Sequence, residues 1–544
     1  MKPLSSKFII LAVAAIVAAA FLFRIIGVGS LDMAGDEASY AFRSIGYLDY
    51  IGTSFQTQPV EWFNGKQLPF WTKLSFHDQP PLVFAIQNSF FRVFGDSALV
   101  ARLPSAIFGA ASVFLIYILA KMFLGESLAL LSAFIFAVNG ALVGISRTAL
   151  LEPILLFFIL LNIYLFFKFV GSPKRYWLAW GTSLGLVFLS KYTGVFLIPI
   201  YFIYLLIGER AVFKNSKFYL ALIVALILFS PVIIYNICLY KAVGHFDLQI
   251  SYLLGQSTPE WQSLIGKVQN PFSEIGKNLL SLYGVPALIA ALLGAIYSAF
   301  SFVKIRSPFI LFCWLYIVSL VLLLIKIGSA PRFIVLFAPV LIIFSVLLIK
   351  FIWGLKGGTK FNYLFKFLAV AFICFEIFFS VKSNFFNINN YGIASLDNSL
   401  NEIFKGKQSA SVPSSSNSHL NDVIKEFSQK QKGKLYPFII VYNDNVAMPT
   451  LQWIFYRRFF YHSIPTLYVE DFVKMIQGKQ VDLRGFDIYF VQSTENTLLN
   501  QFKLDKKIGA ELEENLKKNT QKPPEIIYGQ EGREMFRIYN FSLK

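Results

Sequence analysis

The most constraining feature of this chain is a series of apolar runs, each about as long as a membrane-spanning helix. A helix needs about 17–25 apolar residues to cross the roughly 30 Å hydrocarbon core of a bilayer. We count about eleven such runs, near residues 8–29, 104–120, 127–145, 154–170, 176–190, 194–207, 218–240, 279–303, 308–326, 332–350 and 364–381. Only 15% of the 544 residues are charged and 56% are hydrophobic, too little polar surface for a water-soluble protein of this size. The sequence therefore predicts a polytopic α-helical membrane protein.

The distribution of positive charge argues against binding to nucleic acid. The formal net charge is +18. Residues 1–384 hold 29 Lys and Arg against 14 Asp and Glu, whereas residues 385–544 hold 20 against 17. The excess therefore lies in the hydrophobic part, in loops between apolar runs, as expected for cytoplasmic loops under the positive-inside rule.

An inside N-terminus satisfies that rule at every inner loop. The inner segments then contain the basic residues Lys2, Lys7, Lys121, Lys168, Lys174, Arg175, Arg210, Lys214, Lys217, Lys304, Arg306, Lys350, Lys356, Lys360 and Lys366. This count requires that Pro81–Phe94 is an interfacial helix rather than a span. The first run resembles a signal peptide, but its length and Arg24 near its outer end favour a retained anchor, and the next segment is outside in either case. We therefore expect a multi-pass protein of the cytoplasmic (inner) membrane whose C-terminal segment lies outside.

The sequence predicts two domains. Residues 1–384 form a transmembrane module with a first outer loop at about 30–103, and residues 385–544 form an extracytoplasmic α/β domain. Within the latter, Tyr436–Tyr442 and Phe486–Val491 are typical of buried strands, while the stretches 449–461 and 495–518 are typical of helices. The Ser/Asn-rich stretch Ser409–Ser418 is typical of a linker.

Polar residues of the first outer loop are the first candidates for chemistry. Asp36 and Glu37 follow the first span, with Arg43 close behind. Paired carboxylates can act as a general base or bind a divalent cation, but the first turn of a helix also favours negative charge. At the end of the loop, His77 and Asp78 precede two prolines that stiffen the backbone, so they are candidates for an acceptor or site loop.

Further candidates lie at the outer ends of later spans. Glu152 has an apolar neighbourhood and its nearest basic residue in sequence is Arg147. A carboxylate at the membrane is costly unless it is paired or functional. Three cations also lie at outer ends of spans, namely Lys191, Lys326 and Arg332. One interpretation is that their side chains simply extend to the lipid headgroups. Alternatively, together with Arg43, they form a cationic pocket for a phosphate held at the outer leaflet.

Several of these strings resemble the GT-C membrane glycosyltransferases, in the branch of the bacterial aminoarabinose transferases and protein O-mannosyltransferases. The resemblance covers most of residues 1–384, and it depends on the order and spacing of motifs that are individually weak. The matching strings are GDEASYAF, HDQPPLVF, GDSALVARLPSAIFG, SRTALLEPILLF, GLVFLSKYTG and APRFIVLFAPVL.

The resemblance implies a role for individual residues. Asp36 matches the family's catalytic acidic residue, with Glu37 beside it, and Glu152 matches a second acidic position. Lys191 and Arg332 match basic residues near the donor phosphate. Two departures from the family pattern are Phe333, where a Tyr is usual, and the insertion of Asp78-Gln79 between His77 and the proline pair, which puts the role of His77 in doubt.

The predicted function is transfer of a sugar from a polyprenyl-phosphate-linked donor to an acceptor hydroxyl on a glycan, lipid or protein, with Asp36 as general base. No cofactor is required on this hypothesis. Mg²⁺ or Mn²⁺ held by Asp36, Glu37 and Glu152 is the second possibility, as in the related oligosaccharyltransferases. The rival function class is a transporter or lipid flippase, and a third hypothesis is a scaffold that displays the C-terminal domain.

Overall fold

The structure is a computed structural model that describes residues 5–52, 57–63, 67–256, 271–305, 307–355, 360–405, 422, 425, 438–443, 448–462, 464–478, 486–494, 496, 507–519 and 522–542. The chain forms two compact units. The first unit comprises Met1–Val28, Leu74–Ile86 and Arg102–Ile388, and the second comprises Gly29–Lys73, Gln87–Ala101 and Asn389–Lys544. The second unit thus combines segments of the predicted first outer loop with the C-terminal part of the chain.

Helices dominate the chain up to residue 388. They are α1 (Ser6–Ile25), α2 (Gly35–Gly46), α3 (Pro59–Trp62), α4 (Leu82–Phe94), α5 (Ala98–Leu124), α6 (Glu126–Val138), α7 (Gly140–Ser146), α8 (Glu152–Gly171), α9 (Pro173–Ser190), α10 (Leu197–Gly208), α11 (Ser216–Val243), α12 (Leu248–Leu253), α13 (Pro271–Ile305), α14 (Pro308–Ile327), α15 (Pro331–Ile334), α16 (Ala338–Gly354) and α17 (Lys360–Val381). A 3₁₀-helix, Tyr192–Phe196, joins α9 to α10. Each of the predicted apolar runs is therefore helical over most of its length.

Eight helices among the described residues are long and apolar enough to cross a membrane. The pair α6 and α7, bent by 55° at Asn139, raises that number to nine if the two helices form one span. Neither α9, which begins with charged and polar residues, nor the 12-residue α10 is among them. The multi-span helical class is thus confirmed, while the count of eleven spans stays a prediction. The Pro81–Phe94 segment forms the amphipathic helix α4, whose interfacial position also stays a prediction.

Reporter fusions would test the predicted orientation. A reporter fused at Lys214, between α10 and α11, is expected to be cytoplasmic because this loop carries basic residues. A reporter fused at Ser414, in the predicted linker that lies outside the described residues, is expected on the other side. Dual labelling with a phosphatase and a fluorescent reporter would measure both, and opposite labelling at either position would contradict the orientation.

The C-terminal part of the second unit contains a five-stranded mixed sheet. Its elements are α18 (Ile393–Phe404), β1 (Phe438–Tyr442), α19 (Met448–Leu451), a π-helical turn (Gln452–Tyr456), α20 (Arg457–His462), β2 (Thr466–Tyr468), α21 (Val469–Gln477), β3 (Asp487–Ser493), α22 (Lys507–Asn519), β4 (Glu525–Tyr528) and β5 (Glu534–Ser542). The strand order is β2-β1-β3-β5-β4, with β1 parallel to β2 and β3 and with β5 antiparallel to β3 and β4. The two predicted strands and the predicted 449–461 helix are therefore confirmed, as is the C-terminal α/β class. The predicted 495–518 helix begins later, at Lys507, and the linker at Ser409–Ser418 lies outside the described residues.

An aromatic cluster packs α2 against the helices near residue 460 within the second unit. Phe42 and Leu48 contact Phe460 and Tyr461, and the Tyr461 hydroxyl donates to the Phe42 carbonyl at 2.9 Å. Buried aromatic side chains remove large apolar areas from water, which stabilises this packing. The cluster holds the helix that carries the GDEASYAF motif.

Candidate functional site

Three residues from different motifs meet at one buried carboxylate in the first unit. The Lys191 ammonium forms a hydrogen-bonded ion pair with Oε1 of Glu152, and Nε of Arg332 lies 3.7 Å from the same oxygen. Glu152 is fully buried and Lys191 is almost so, whereas a quarter of the Arg332 side chain is exposed. The structure therefore brings together one predicted acidic residue and two of the four predicted cations, Lys191 and Arg332.

Helix boundaries explain how these residues come into position. Glu152 is the first residue of α8, where Pro153 suits the first helical turn and negative charge is favourable. Lys191 is an extended residue between α9 and the following 3₁₀-helix. A Cβ on Gly194 in that turn would lie 2.3 Å from Cγ1 of Val187, so this close approach requires glycine. Arg332 follows Pro331 in the first turn of α15.

Phe333 contacts both cations of the cluster. The Lys191 ammonium lies 4.7 Å from the centre of the Phe333 ring, and Cζ of Arg332 lies 5.1 Å from it. A cation near an aromatic face is attracted by the ring's quadrupole. The ring can thus position the two cations although it lacks the hydroxyl of the Tyr that is usual in the family pattern.

The cluster carries more positive than negative charge. Two cations face a single carboxylate, whose Oε2 is buried and has no hydrogen-bond partner among the described residues. Ammonium and guanidinium groups both donate hydrogen bonds to phosphate oxygens, and guanidinium groups match the geometry of phosphate. The arrangement can therefore hold a phosphate against Lys191 and the exposed part of Arg332.

Arg147, the basic residue nearest to Glu152 in sequence, is engaged elsewhere. Its Nη1 donates to the carbonyls of Phe23 at 3.1 Å and Ile26 at 2.7 Å, at the end of α1, and its guanidinium lies 4.4 Å from the centre of the Phe385 ring. These contacts satisfy carbonyls that a helix C-terminus leaves unpaired. Arg147 is thus a structural residue of the first unit.

The loop that carries His77 and Asp78 is an ordered turn in the first unit. Both residues are buried, the Phe76 amide donates to the Gln79 carbonyl at 3.2 Å, and the His77 carbonyl accepts from the Leu248 amide at 2.8 Å. The turn is therefore tied to the start of α12.

Sequence reasoning missed Asp247, a fully buried carboxylate next to that contact. It accepts hydrogen bonds from the Tyr192 hydroxyl at 2.5 Å and from Nδ2 of Asn236 at 2.9 Å, and it caps α12. Burial raises the pKa of Asp247, although these hydrogen bonds oppose the rise. Since Tyr192 follows Lys191 directly, Asp247 orients the turn that carries the lysine. The available signal was an acidic residue just after the α11 span.

The remaining candidates are Lys326, in the first unit, and three residues of α2, in the second unit. Lys326 is exposed in the last turn of α14. Asp36 is exposed in the first turn, Glu37 is buried, and Arg43 forms a 2.6 Å ion pair with Asp49. The N-cap residue of α2 is Ala34, which makes no side-chain cap bond, so Asp36 is not the capping residue. An exposed carboxylate at this position is accessible to an incoming substrate.

Comparisons of the sequence match part of this chain to proteins named as mannosyltransferases. Residues 78–235 match the family described as dolichyl-phosphate-mannose-protein mannosyltransferase. A Bacillus subtilis protein named "Putative mannosyltransferase YkcB" is 32% identical over 166 residues, which are 29% of this chain and 23% of that protein. Dolichyl-phosphate-mannose–protein mannosyltransferase 1 of Saccharomyces cerevisiae is 30% identical over 209 residues, 35% of this chain and 24% of that protein. The chain thus spans about a quarter of the length of these curated relatives.

Solved structures match over much more of the chain, but at low identity. ArnT from Cupriavidus metallidurans bound to undecaprenyl phosphate aligns over 98% of both chains with a TM-score of 0.55 and 12% identity. The Archaeoglobus fulgidus oligosaccharyltransferase tethered to an acceptor peptide aligns over 90% of this chain and 69% of its own, with a TM-score of 0.53 and 13% identity. The resemblance seen in the motifs is therefore confirmed at the level of the fold: this multi-span membrane protein has the GT-C fold of these solved structures, and residues 78–235 resemble the mannosyltransferase family.

Proposed function

We propose that this protein transfers a sugar from a polyprenyl-phosphate-linked donor to an acceptor hydroxyl at the outer face of the cytoplasmic membrane. The observation that carries this proposal is the cluster of Glu152, Lys191 and Arg332, where two cations face one buried carboxylate. Relatives named as mannosyltransferases and a structural neighbour bound to undecaprenyl phosphate support the same function.

The donor phosphate binds at the cationic side of this cluster. Arg332 offers its partly exposed guanidinium, and Lys191 adds a second positive charge from the buried side. Both charges would stabilise the negative charge that grows on the leaving phosphate as the bond to the sugar breaks. Glu152 positions the two cations, since its carboxylate contacts both.

An apolar groove beginning in the same turn suits the lipid part of the donor. The groove has a volume of about 330 Å³ and lies between α10 and α14, with Val195 and Phe196 at one side and Val318 and Leu322 at the other. Val195, Val318 and Leu322 are exposed apolar side chains. A polyprenyl chain lying there would leave its phosphate near Lys191, four residues before Val195 in the chain.

The chemical step is a single displacement at the anomeric carbon. The acceptor oxygen forms the new bond to that carbon, its proton passes to the Asp36 carboxylate, and the bond to the phosphate oxygen breaks with its electron pair remaining on the phosphate. Arg43 is the least direct of the proposed phosphate ligands, because Asp49 already neutralises it. The acceptor is a glycan, a lipid or a protein; the oligosaccharyltransferase neighbour holds an acceptor peptide.

A divalent cation is a second possibility for the acidic residues. An oligosaccharyltransferase structure with a TM-score of 0.52 is a complex with Zn and sulfate. In this protein, the Glu152 carboxylate already contacts two side-chain cations, an arrangement that favours an anion over Mg²⁺ or Mn²⁺ at that position. Exposed Asp36 is the better candidate for a metal ligand.

Removal of the Arg332 side chain tests the donor site. Arg332→Ala is expected to weaken binding of undecaprenyl phosphate by about 10–100-fold, as for loss of hydrogen bonding by a charged group. Binding can be measured by thermal stabilisation and by titration of the purified protein in nanodiscs. Sugar transfer can be measured with a lipid-linked donor, which mass spectrometry of envelope lipids from a deletion strain would identify. Lys241→Ala, which removes an exposed basic residue at the end of α11, is the matched control. Unchanged binding and transfer by Arg332→Ala would contradict the phosphate site.

The transporter alternative has one observation in its favour. Glu376 is a buried carboxylate within α17, and Nδ2 of Asn139 donates to it at 3.0 Å at the break between α6 and α7. Carboxylates inside membranes often mark ion or proton pathways. The cavity beside Glu376 has a volume of only about 10 Å³, room for about one water molecule rather than a transported solute. Flux of a lipid or solute through liposomes without sugar transfer would favour this alternative.

A further inference from the structure

A large cavity lies wholly within the second unit, apart from every residue assigned above. Its volume is about 620 Å³, within the range of about 300–1,000 Å³ that small-molecule sites occupy. Its walls are formed by α18, by α20 with the preceding π-helical turn, and by the loop between α4 and α5. All of these segments belong to the second unit, so the cavity can be described without reference to the first.

One wall of the cavity contains two adjacent buried arginines that share a carboxylate. Oδ1 of Asp397 accepts from Nη2 of Arg457 at 2.6 Å and from Nη2 of Arg458 at 2.7 Å. Arg458 also donates to Oδ1 of Asn401 at 2.6 Å. Burial alone would raise the pKa of Asp397, but the two guanidinium groups hold it below its usual value. The arginines are therefore fixed in place and carry one positive charge beyond what Asp397 neutralises.

A second polar contact extends the wall. Nε2 of His462 lies 2.6 Å from Oδ2 of Asp96, and Nη1 of Arg457 donates to the Asp96 carbonyl at 2.7 Å. Burial opposes ionisation of Asp96, yet His462 and Arg457 bring its pKa to about 2. Asp96 is therefore an anion at neutral pH and a fixed hydrogen-bond acceptor.

Arg457 retains an unused donor at this wall. Its side chain is only 4% exposed, and its Nε makes no hydrogen bond to any described residue. The nearest carboxylate oxygen, on Asp96, lies 3.9 Å away, too far for a hydrogen bond. The guanidinium lies 4.1 Å from the centre of the Trp453 ring, which holds its plane. Since a buried unpaired donor is costly, an acceptor oxygen on a ligand would stabilise the site.

The rest of the lining shows what kind of ligand would supply that oxygen. Asn398 and Asn401 offer amides suited to hydroxyl groups, and Lys405 adds an exposed positive charge. Phe94 and Leu99 are lining residues with 61% and 43% exposure, and they offer apolar contact. The Lys405 ammonium lies 3.6 Å from a carboxylate oxygen of Glu402. The preference for a negatively charged ligand therefore rests on the guanidinium groups of Arg457 and Arg458 and on the unused Nε donor of Arg457.

We propose that this cavity binds a saccharide that bears a phosphate or carboxylate group, as the recognition element of the acceptor. The amides and Asp96 would bind hydroxyl groups, while Arg457 and Lys405 would bind the anionic group. The assignment of this ligand as acceptor rests on the proposed function. The binding itself does not.

Binding of small anionic sugars to the full-length protein tests the proposal. The probes are glucose 6-phosphate, N-acetylglucosamine 1-phosphate and galacturonate, with glucose and inorganic phosphate as comparison ligands, titrated at millimolar concentration by saturation-transfer NMR in nanodiscs. We expect the dissociation constant of at least one anionic sugar to be at least about tenfold lower than that of glucose or inorganic phosphate. A hydrogen bond to a charged group contributes enough binding free energy for a difference of this size. Equal binding of inorganic phosphate, equal binding of glucose, or no binding of any anionic sugar would each overturn the proposal.

Variants locate the binding in the cavity. Arg457→Lys keeps the positive charge but removes the guanidinium, and it is expected to weaken binding of the anionic sugar about tenfold. Lys405→Gln, at an exposed position that leaves the buried ion pairs intact, should weaken it about threefold. Lys474→Gln, an exposed lysine of α21 away from the cavity, is the matched control and should leave it unchanged. Unchanged binding in both cavity variants would overturn the assignment.

The same preparation separates this proposal from the proposed function. Titration with undecaprenyl phosphate reports on the first unit, and titration with the anionic sugars reports on the cavity. Sugar binding without donor binding would contradict the proposed function and leave the cavity assignment standing. Binding of undecaprenyl phosphate and sugar transfer without binding of the anionic sugars would contradict the cavity assignment and leave the proposed function standing.

Discussion

Asp36→Asn is expected to lower sugar transfer by about 10²–10⁴-fold, the usual contribution of a general base. The amide keeps the size and shape of the side chain but cannot accept the proton of the acceptor hydroxyl. The folding effect should be small, because Asp36 is exposed and its favourable interaction with the N-terminus of α2 is worth about 0.3–1 kcal/mol. Turnover with a lipid-linked donor and thermal unfolding of the same sample would separate the two effects.

A matched control is available in the same unit. Asp471 is an exposed carboxylate in the first turn of α21, so Asp471→Asn makes the same chemical change at an equivalent helix position. It should leave transfer unchanged. If Asp36→Asn transferred sugar at nearly the wild-type rate, the base would have to be Glu37 or Glu152.

Addition of EDTA distinguishes a base from a metal ligand at Asp36. The wild-type protein should keep its activity if Asp36 acts as the base without a metal. Loss of activity with EDTA, restored by Mg²⁺ or Mn²⁺, would instead assign Asp36 to a cation.

Lys191→Met is expected to have the largest effect on stability. Removal of one partner of a buried ion pair typically costs about 3–5 kcal/mol, because the other charge is left uncompensated. Here Glu152 would retain only Arg332, whose Nε is 3.7 Å away. Thermal unfolding in nanodiscs should show a much lower midpoint, whereas Lys241→Met, at an exposed position, should leave it unchanged.

A double variant separates folding from function. Glu152→Gln combined with Lys191→Met removes both charges and should recover most of the stability, since no buried charge is left unpaired. It should still bind undecaprenyl phosphate weakly, because only Arg332 remains of the cationic pair. Normal donor binding by the double variant would contradict the role of Lys191.

Sequence reasoning identified elements better than contacts. The apolar runs predicted helices because membrane spans have a length requirement that a single segment must meet alone. The pairing of Glu152 with Lys191 and Arg332 could not be predicted, because it depends on how α8, α9 and α15 pack. For the same reason, Arg147, the basic residue nearest to Glu152 in sequence, lies elsewhere in the fold, where its guanidinium binds the end of α1.

In the second unit, too, some secondary-structure elements could be predicted from the sequence, whereas side-chain contacts could not. Two strands with continuous apolar residues were predictable, whereas β2 and β4, which have three and four residues, and β5, which Arg537 and Asn540 interrupt, were not recognised. Arg43 was grouped with the phosphate ligands because of its charge alone, and its pairing with Asp49 depends on the turn that follows α2. Asp96, Asp397 and the two arginines lie far apart in sequence, and only the fold makes them neighbours.

The aromatic cluster around α2 also has a consequence for biosynthesis. Tyr461 and Phe42, which it joins, are 419 positions apart in the chain. At translation rates of about 5–20 residues per second, the apolar face of α2 remains without its partner for about 20–80 s after it has been made. During that interval, the segment that carries Asp36 is complete in sequence but exposed, a state that invites aggregation or chaperone binding. Ribosome stalling before residue 460 should therefore leave this helix accessible to proteases, whatever the state of the membrane helices already inserted.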